Sequence, residues 1–107
     1  MKRNTIYYSP EAQNDLDGIW DYITYDLCNP DAAENTVNRI LDTIDRLETF
    51  SAEIGTPLAF VTDIESDYRF LVSGNYLAFY RICGTDVYVD RILYSKRDYL
   101  RILFPDR

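Results

Sequence analysis

Three short apolar runs separated by glycine turns make up most of the second half of the chain. They cover residues 68–72, 76–83 and 87–94, and each is rich in Val, Ile, Tyr and Phe, the residues that suit a pleated strand. The gaps between them contain Gly74 and Gly84, each beside a small polar residue, which is typical of a hairpin turn. The pattern therefore predicts three consecutive antiparallel strands joined as a meander.

Two amphipathic helical patterns precede the meander. Ser9 and Asn29 suit the N-cap position, and each is followed by a proline, which suits the first helical residue. Apolar residues then recur at steps of mostly three and four: Ala12, Leu16, Ile19, Trp20, Ile23 and Leu27 in the first helix, and Ala33, Val37, Ile40, Leu41, Ile44, Leu47 and Phe50 in the second. The short connection predicts an antiparallel helical hairpin with one apolar side.

The remaining segments complete an α+β fold. Residues 5–8 predict a short strand, residues 51–66 a loop that crosses from helix to sheet, and residues 96–104 a short C-terminal element packed on the domain. The predicted order is β-α-α-β-β-β in a single domain over residues 1–107. In this arrangement the helical hairpin packs on one face of a mainly antiparallel four-stranded sheet.

Composition limits the classes of function. No apolar run of the 107-residue chain approaches the roughly 20 residues of a membrane helix, and no signal-type segment follows the N-terminus, so we expect a cytoplasmic protein. With two cysteines and no histidine we expect no zinc site and no other metal or cofactor. The absence of histidine also excludes catalytic sites of the Ser-His-Asp or Cys-His kind.

The net charge of −7 is unevenly distributed along the chain. Residues 1–65 carry 4 Lys and Arg against 13 Asp and Glu, a net charge of −9, whereas residues 66–107 carry 7 against 5, a net charge of +2. The acidic half would repel nucleic acid at long range, which argues against a general nucleic-acid-binding protein. Only the sheet half could offer a favourable surface to a phosphate group.

Arginines are spaced through the sheet half: Arg69, Arg81, Arg91, Arg97 and Arg101. By strand alternation Arg81 shares a face with Phe79, and Arg91 shares a face with Val89 and Leu93. A guanidinium on an apolar face needs a carboxylate, a position at the sheet margin or a ligand. Two interpretations follow, namely ion pairs with Asp90 or Asp98, and a convergent anion site that includes Lys96 and Arg97.

The ordered combination of these features resembles the RelE/ParE superfamily, the toxins of type II toxin–antitoxin (plasmid stabilisation) modules. The resemblance rests on the element order, on Tyr-Ser-Pro-Glu-Ala at residues 8–12, and on a final hairpin, residues 76–99, that ends in Arg-Asp before a short C-terminal element. It implies a cytoplasmic bacterial growth inhibitor whose cognate antitoxin wraps it and blocks its working surface. It also implies that DNA is contacted only through the antitoxin.

Two branches of this superfamily act differently. RelE-like members cut mRNA on the ribosome without a metal, whereas ParE-like members inhibit DNA gyrase and need no hydrolytic reaction. Leu77 stands where the nucleases carry an arginine and Leu103 where they carry a tyrosine, although Arg97 matches a nuclease arginine. The resemblance therefore favours the ParE-like branch, and the catalytic candidates for the nuclease alternative are Arg69, Arg81, Arg97, Tyr94 and Tyr99.

Within the ParE-like interpretation, the residues predicted to bind the cellular target are Arg91, Lys96, Arg97 and Asp98. The acidic residues Asp15, Asp17 and Asp21 of the first helix are predicted to attract a basic antitoxin. Its segment would lie in the groove between the helical hairpin and the sheet edge, as a helix or an added strand. A third alternative is a toxin-fold protein without toxicity, kept for antitoxin binding.

Overall fold

The computed structural model describes residues 3–49 and 54–106. Eight elements follow each other as β1 (Thr5–Tyr8), α1 (Pro10–Asp21), α2 (Pro30–Thr49), β2 (Thr56–Pro57), β3 (Arg69–Ser73), β4 (Tyr76–Cys83), β5 (Asp86–Tyr94) and α3 (Tyr99–Leu103). A π-helical turn, Tyr22–Asp26, extends α1, and a 3-10 turn, Leu58–Phe60, follows β2. The predicted α+β class and element order are confirmed, with one additional short strand.

The sheet has five strands in the order β1-β5-β4-β3-β2. β3, β4 and β5 form the predicted antiparallel meander, while β1 lies parallel to β5. β2 pairs with β3 through two residues only, within the segment that was predicted to be a loop. The predicted four-stranded sheet is therefore one strand short, because a two-residue strand that contains proline has no alternating pattern to detect.

Both helices begin as their sequences predict. The Ser9 hydroxyl accepts a hydrogen bond from the Ala12 N–H at 2.9 Å, and the Asn29 side-chain oxygen accepts one from the Ala32 N–H at 3.1 Å. The residues that the helical hairpin buries are Ala12, Ile23, Ala33, Ile40, Ile44 and Leu47. The predicted last residue of the second stripe, Phe50, lies outside the described residues.

The first stripe departs from its predicted pattern at Trp20 and Leu27, which are 38% and 55% exposed. Leu27 follows the π-helical turn Tyr22–Asp26, whose wider turn moves later residues out of the 3.6-residue register. Trp20 directly follows Ile19, so it lies about 100° around the helix from that residue, at the margin of the stripe. Both apolar side chains are consequently presented at the surface.

The sheet has an apolar core on each face. The helices cover one face, where Ala78, Tyr80, Val87 and Val89 are buried. On the other face Leu77, Phe79 and Leu93 pack with Leu58 and with α3. No helix in the described part of the chain is long and apolar enough to span a bilayer.

A β-bulge at Asp90 changes which residues share a face of β5. Tyr80 pairs with Val89 but Phe79 pairs with Arg91, so Asp90 is the extra residue. The sequence prediction that Arg91 shares a face with both Val89 and Leu93 is wrong, because the bulge shifts the alternation by one position. Arg91 instead shares its face with Leu93.

Candidate functional site

An open groove of about 650 Å³ lies between the helical hairpin and the ends of the central strands. We call it the hairpin groove; its lining residues from the helices include Gly18, Ile19, Tyr22 and Leu27, and those from the sheet side include Asn75, Tyr76, Ile92, Tyr94 and Arg97. Most of these side chains are apolar or aromatic, and Tyr22 and Tyr94 are about half exposed. The groove is therefore a concave, mainly apolar surface that is also lined by the charged residues Asp15 and Arg97.

The groove exists because β1 is shorter than β5. β1 ends at Tyr8, which pairs with Val89, so the last five residues of β5 have no strand beside them on that edge within the described chain. The start of α1 protects the first part of the open edge, where the Ser9 hydroxyl donates to the Asp90 carbonyl at 2.7 Å. Beyond that point the edge of β5 forms one wall of the hairpin groove.

Asp15 and Arg91 join the helix to this edge. The Arg91 Nε and Nη2 atoms each donate to the Asp15 carboxylate at 2.8 Å, and the Ile92 N–H donates to it at 2.9 Å. The Asp15 and Arg91 side chains are only 11% and 25% exposed, and the hydrogen bond to Asp15 is the main cause of a raised Arg91 pKa. Asp15 was predicted to bind the antitoxin and Arg91 to bind the cellular target, but in the structure these two residues bind each other.

The other acidic residues predicted for antitoxin binding remain at the surface. Asp17 and Asp21 are exposed, and their spacing of four residues brings them together on one side of α1. Asp26 is exposed on the π-helical turn that follows. The helical wall of the groove is therefore flanked by negative charge.

Two of the predicted target-binding cations, Lys96 and Arg97, follow β5 in a turn that is held by backbone hydrogen bonds. The Arg97 N–H donates to the Tyr94 carbonyl at 3.0 Å, and the Ser95 N–H donates to the Asn75 carbonyl at 2.7 Å. Lys96 and Arg97 are exposed, and neither forms an ion pair with any residue in the ranges 3–49 and 54–106. The Arg97 side chain reaches the groove.

Asp98 forms a different contact from the other predicted target-binding residues. Its carboxylate lies 3.5 Å from Arg101 Nε, and both side chains are more than 60% exposed. An ion pair that is so open to solvent contributes little to stability. Asp98 and Arg101 thus lie at the surface at the start of α3, close in sequence to Lys96 and Arg97.

The nuclease candidates occupy separate parts of the molecule. Arg81 Nε donates to Asp90 Oδ2 at 2.8 Å, so the interpretation of this arginine as an ion-pair partner of Asp90 is confirmed. Arg81 is the sheet partner of Tyr88, whereas Arg97 comes after Tyr94. Those two tyrosines are six positions apart along β5, which is roughly 20 Å. These two guanidinium groups cannot surround one phosphorus atom.

The other three candidates are occupied by packing or hydrogen bonds. Arg69 donates to the Gly55 carbonyl at 2.9 Å, and the Tyr99 ring packs 5.3 Å from the Phe79 ring on the face that α3 covers. Tyr94 lies beside Tyr76, with ring centroids 5.9 Å apart. The structure therefore brings together Tyr94 and Arg97 at the groove, and separates both from Arg81.

Sequence reasoning missed most of the residues that line the hairpin groove. Gly18, Tyr22 and Tyr76 were not singled out as site residues. One signal in the sequence could have indicated the groove, namely the glycine at position 18 inside an amphipathic helix. Glycine lowers helix propensity, and here its missing side chain leaves space on the groove wall. The described residues contain no group of three His, Cys, Asp or Glu side chains suited to hold a metal ion.

Comparisons with known proteins agree with this architecture. The sequence model of a family described as "ParE toxin of type II toxin-antitoxin system, parDE" matches residues 6–99. The chain resembles a solved structure described as "Chromosomal ParDE TA system from P. aeruginosa", with a TM-score of 0.74, 22% identity, and coverage of 88% of this chain and 98% of that one. At this identity the likeness shows the fold.

A search of curated protein sequences found no significant match. The family match nevertheless spans most of the chain, from β1 to the start of α3, and the sequence resemblance to the RelE/ParE superfamily leads to the same assignment. The chain therefore belongs to the ParE toxin family of type II toxin–antitoxin systems.

Proposed function

We propose that this toxin inhibits growth by binding DNA gyrase, and that a cognate antitoxin neutralises it by filling the hairpin groove. We choose gyrase over mRNA because the candidate catalytic residues of a nuclease lie in separate parts of the molecule. Phosphodiester cleavage needs several charges and a proton acceptor around one phosphorus atom. Arg81 is held by Asp90 on one face, and Arg97 lies at the other end of β5. A binding mechanism needs no such convergence.

The antitoxin segment is a basic, amphipathic one. Its apolar side chains bury Tyr22, Leu27 and Tyr94, and its cations face Asp17 and Asp21. An amphipathic helix in a groove and an added strand at a sheet edge are both established modes of peptide recognition, and the hairpin groove offers an apolar cleft and an open edge together. Of the three acidic residues predicted from the sequence to bind the antitoxin, the proposal therefore uses Asp17 and Asp21, because Asp15 is mainly engaged by Arg91.

Neutralisation follows from the overlap of the two surfaces. Arg97 lines the groove, and Lys96 is the exposed neighbour in the same turn. A segment that fills the groove therefore also covers the end of the target-binding surface formed by Lys96, Arg97 and Asp98. Arg91 supports this surface through its bonds to Asp15, since it fixes the strand from which the turn departs. The protein works in the bacterial cytoplasm, where gyrase and newly made antitoxin are available to it.

The test is to express the chain without antitoxin in bacterial cells and to follow thymidine and amino-acid incorporation together. We expect thymidine incorporation to fall first, and we expect the double variant Lys96→Ala/Arg97→Ala to delay the arrest. The matched control Arg3→Ala/Arg46→Ala removes two exposed cations, one before β1 and one in the last turn of α2, and should arrest growth as the wild type does.

The other outcomes distinguish the alternatives. An early fall in amino-acid incorporation with new 5′ ends in messages would replace gyrase inhibition with RelE-like mRNA cleavage. Normal growth of cells that contain abundant folded protein would support the third alternative, a non-toxic protein that binds antitoxin. Direct inhibition of purified gyrase by the purified chain is the confirming measurement, since it needs no inference from cell physiology.

A further inference from the structure

One part of the sheet is not covered by any described element. On the face opposite the helical hairpin, α3 and Leu58 cover the end of the sheet that contains Leu77, Phe79 and Leu93. At the other end, Tyr7 and Tyr88 remain 47% and 39% exposed. Large aromatic side chains on an uncovered sheet face lower the solubility of a protein, and exposed apolar patches often mark interaction sites.

Four side chains on this face form a row, which we call the tyrosine row: the exposed Tyr7, Tyr88 and Arg81, and the partly buried Tyr68. Tyr7 and Tyr88 are direct sheet partners whose rings stack with centroids 5.3 Å apart at an angle of 17°. Arg81 is the partner of Tyr88 on β4, and its guanidinium carbon lies 5.6 Å from the centroid of the Tyr68 ring. The row thus already contains one cation against an aromatic face.

The charges around the row favour a cationic ligand. A cavity of about 350 Å³ beside Tyr88 is also lined by Asp67, Arg81 and Cys83. Arg81 is already paired with Asp90. Asp67 and Asp86 form no ion pair within residues 3–49 and 54–106, and the charge of Asp86 is the main cause of a raised Tyr88 pKa. The uncompensated charge at this surface is therefore negative.

We propose that the tyrosine row is a second protein-docking surface, and that its partner is a basic segment that lays an arginine or lysine side chain against Tyr7 and Tyr88. The aromatic rings attract the cation through their negative faces, and Asp67 and Asp86 supply the opposite charge. Tyrosine and arginine are also the residue types that protein interfaces favour. A single-stranded nucleic acid could stack on the rings, but its phosphates would meet Asp67 and Asp86.

The position of this surface makes it independent of the hairpin groove. The row lies on the opposite face of the sheet from the helices that form the groove wall. One partner can therefore occupy the groove while another occupies the tyrosine row. The inference does not depend on whether the groove partner is an antitoxin or the target is gyrase.

The test uses the full chain with labelled tyrosine rings, observed by NMR during titration with two acetylated and amidated peptides. One is Gly-Arg-Gly-Arg-Gly, and the other replaces each arginine with neutral citrulline. We expect the arginine peptide alone to shift the Tyr7 and Tyr88 ring signals. Tyr7→Val/Tyr88→Val, which keeps strand-forming residues, should weaken binding by about two- to fivefold for each ring lost. In variants without tyrosine at these positions, binding is followed by the backbone amide signals of β1 and β5.

Matched variants separate the proposed contact from general attraction to an acidic protein. Tyr7→Phe/Tyr88→Phe keeps the aromatic faces and should retain binding, whereas Asp86→Asn removes a negative charge and should weaken binding. Tyr25 is a 71% exposed tyrosine on the π-helical turn, and Tyr25→Ala should leave binding unchanged. The proposal is overturned by equal binding of the citrulline peptide, by shifts confined to α1, by absence of ring shifts at millimolar peptide, or by stronger binding of an eight-residue oligothymidine to the same rings.

Discussion

Gly18 and Gly55 have opposite surroundings. A Cβ atom at Gly55 would meet the hydroxyl of the buried Tyr80 and would also lie 2.9 Å from the Phe70 carbonyl, while no heavy atom lies within 4 Å of a Cβ at Gly18. The Gly55 N–H also donates to the Tyr80 hydroxyl at 3.0 Å. The close approach of this backbone to Tyr80 therefore requires glycine.

We expect Gly55→Ala to lower the free energy of unfolding by about 1–3 kcal/mol or more, because the added methyl group overpacks the Tyr80 site. Gly18→Ala is the matched control, and it should raise the same quantity by about 1 kcal/mol through helix propensity. Urea denaturation of the two variants measures both values. Equal effects of the two substitutions would show that Tyr80 does not constrain residue 55.

Two tyrosines, Tyr68 and Tyr8, make the stability of the fold depend on pH in the alkaline range. Burial and the hydrogen bond to Asp90 raise the Tyr68 pKa to about 12, and burial and Asp45 raise the Tyr8 pKa to about 12, from an ordinary value of 10.0. Below pH 10 both tyrosines are protonated in the folded and unfolded states, and their contribution to stability is complete. Between pH 10 and 12 the unfolded chain loses these protons first, so stability falls as pH rises.

We expect the free energy of unfolding to decline more gently between pH 10 and 12 in Tyr68→Phe and in Tyr8→Phe, because each variant lacks one group that the folded state keeps protonated. Urea titrations at intervals across this range, with tyrosinate absorbance as a second probe, measure the slope. A slope equal to that of the wild type in both variants would contradict the assignment. Any fixed loss from the missing Tyr68 hydrogen bond shifts the curve without changing its slope.

At the scale of elements, the contact between α1 and the open edge of β5 depends on one carboxylate. Asp15 accepts two hydrogen bonds from Arg91 and one from the Ile92 N–H. Its removal leaves a poorly exposed guanidinium and a backbone donor without their partner. We therefore expect Asp15→Ala to lower the free energy of unfolding by about 2–3 kcal/mol, measured by urea denaturation.

The control for this prediction is Asp17→Ala, an exposed carboxylate on the same helix, which should change stability by less than about 0.5 kcal/mol. Asp15→Ala/Arg91→Met should recover part of the loss, because it removes the unpaired cation as well. If Asp15→Ala and Asp17→Ala destabilise the chain equally, the contact does not hold the helix to the strand.

The elements that the sequence predicted are those defined by local patterns. Helix caps at Ser9 and Asn29, the apolar stripes and the glycine turns all depend on residues close in sequence. The parallel pairing of the edge strand β1 with β5, the two-residue β2 and the bulge at Asp90 depend on contacts between distant segments. Local periodicity carries no information about such pairing, and this is why the face of Arg91 was predicted wrongly.

The candidate site was less predictable than the fold, for a related reason. The sequence indicated that Arg97 and the acidic face of α1 were of interest, but it treated Arg91 and Asp15 as members of separate surfaces. Their contact crosses 76 positions of sequence. The hairpin groove likewise combines a glycine from α1 with tyrosines from β4 and β5, and only the folded chain brings these residues to one surface.

At the scale of the whole molecule, the charge distribution should control how fast the antitoxin binds. The chain carries a net charge of −7, and exposed carboxylates flank the groove at Asp17, Asp21 and Asp26. A basic segment is attracted by this field before contact, and dissolved salt screens the attraction over about 10 Å at 0.1 M. In the proposed complex, apolar contacts with Tyr22 and Tyr94 would act only after docking and would respond little to salt.

We therefore expect the association rate of the cognate antitoxin segment to fall about tenfold or more between 0.05 and 0.5 M salt, with little change in the dissociation rate, as measured by stopped-flow fluorescence of Trp20. Asp17→Asn/Asp21→Asn should reduce this salt dependence. Gly18→Tyr, which fills the groove without a clash at the Cβ position, should instead abolish binding. An association rate independent of salt would exclude the electrostatic attraction, whereas unchanged binding by Gly18→Tyr would move the antitoxin away from the hairpin groove altogether.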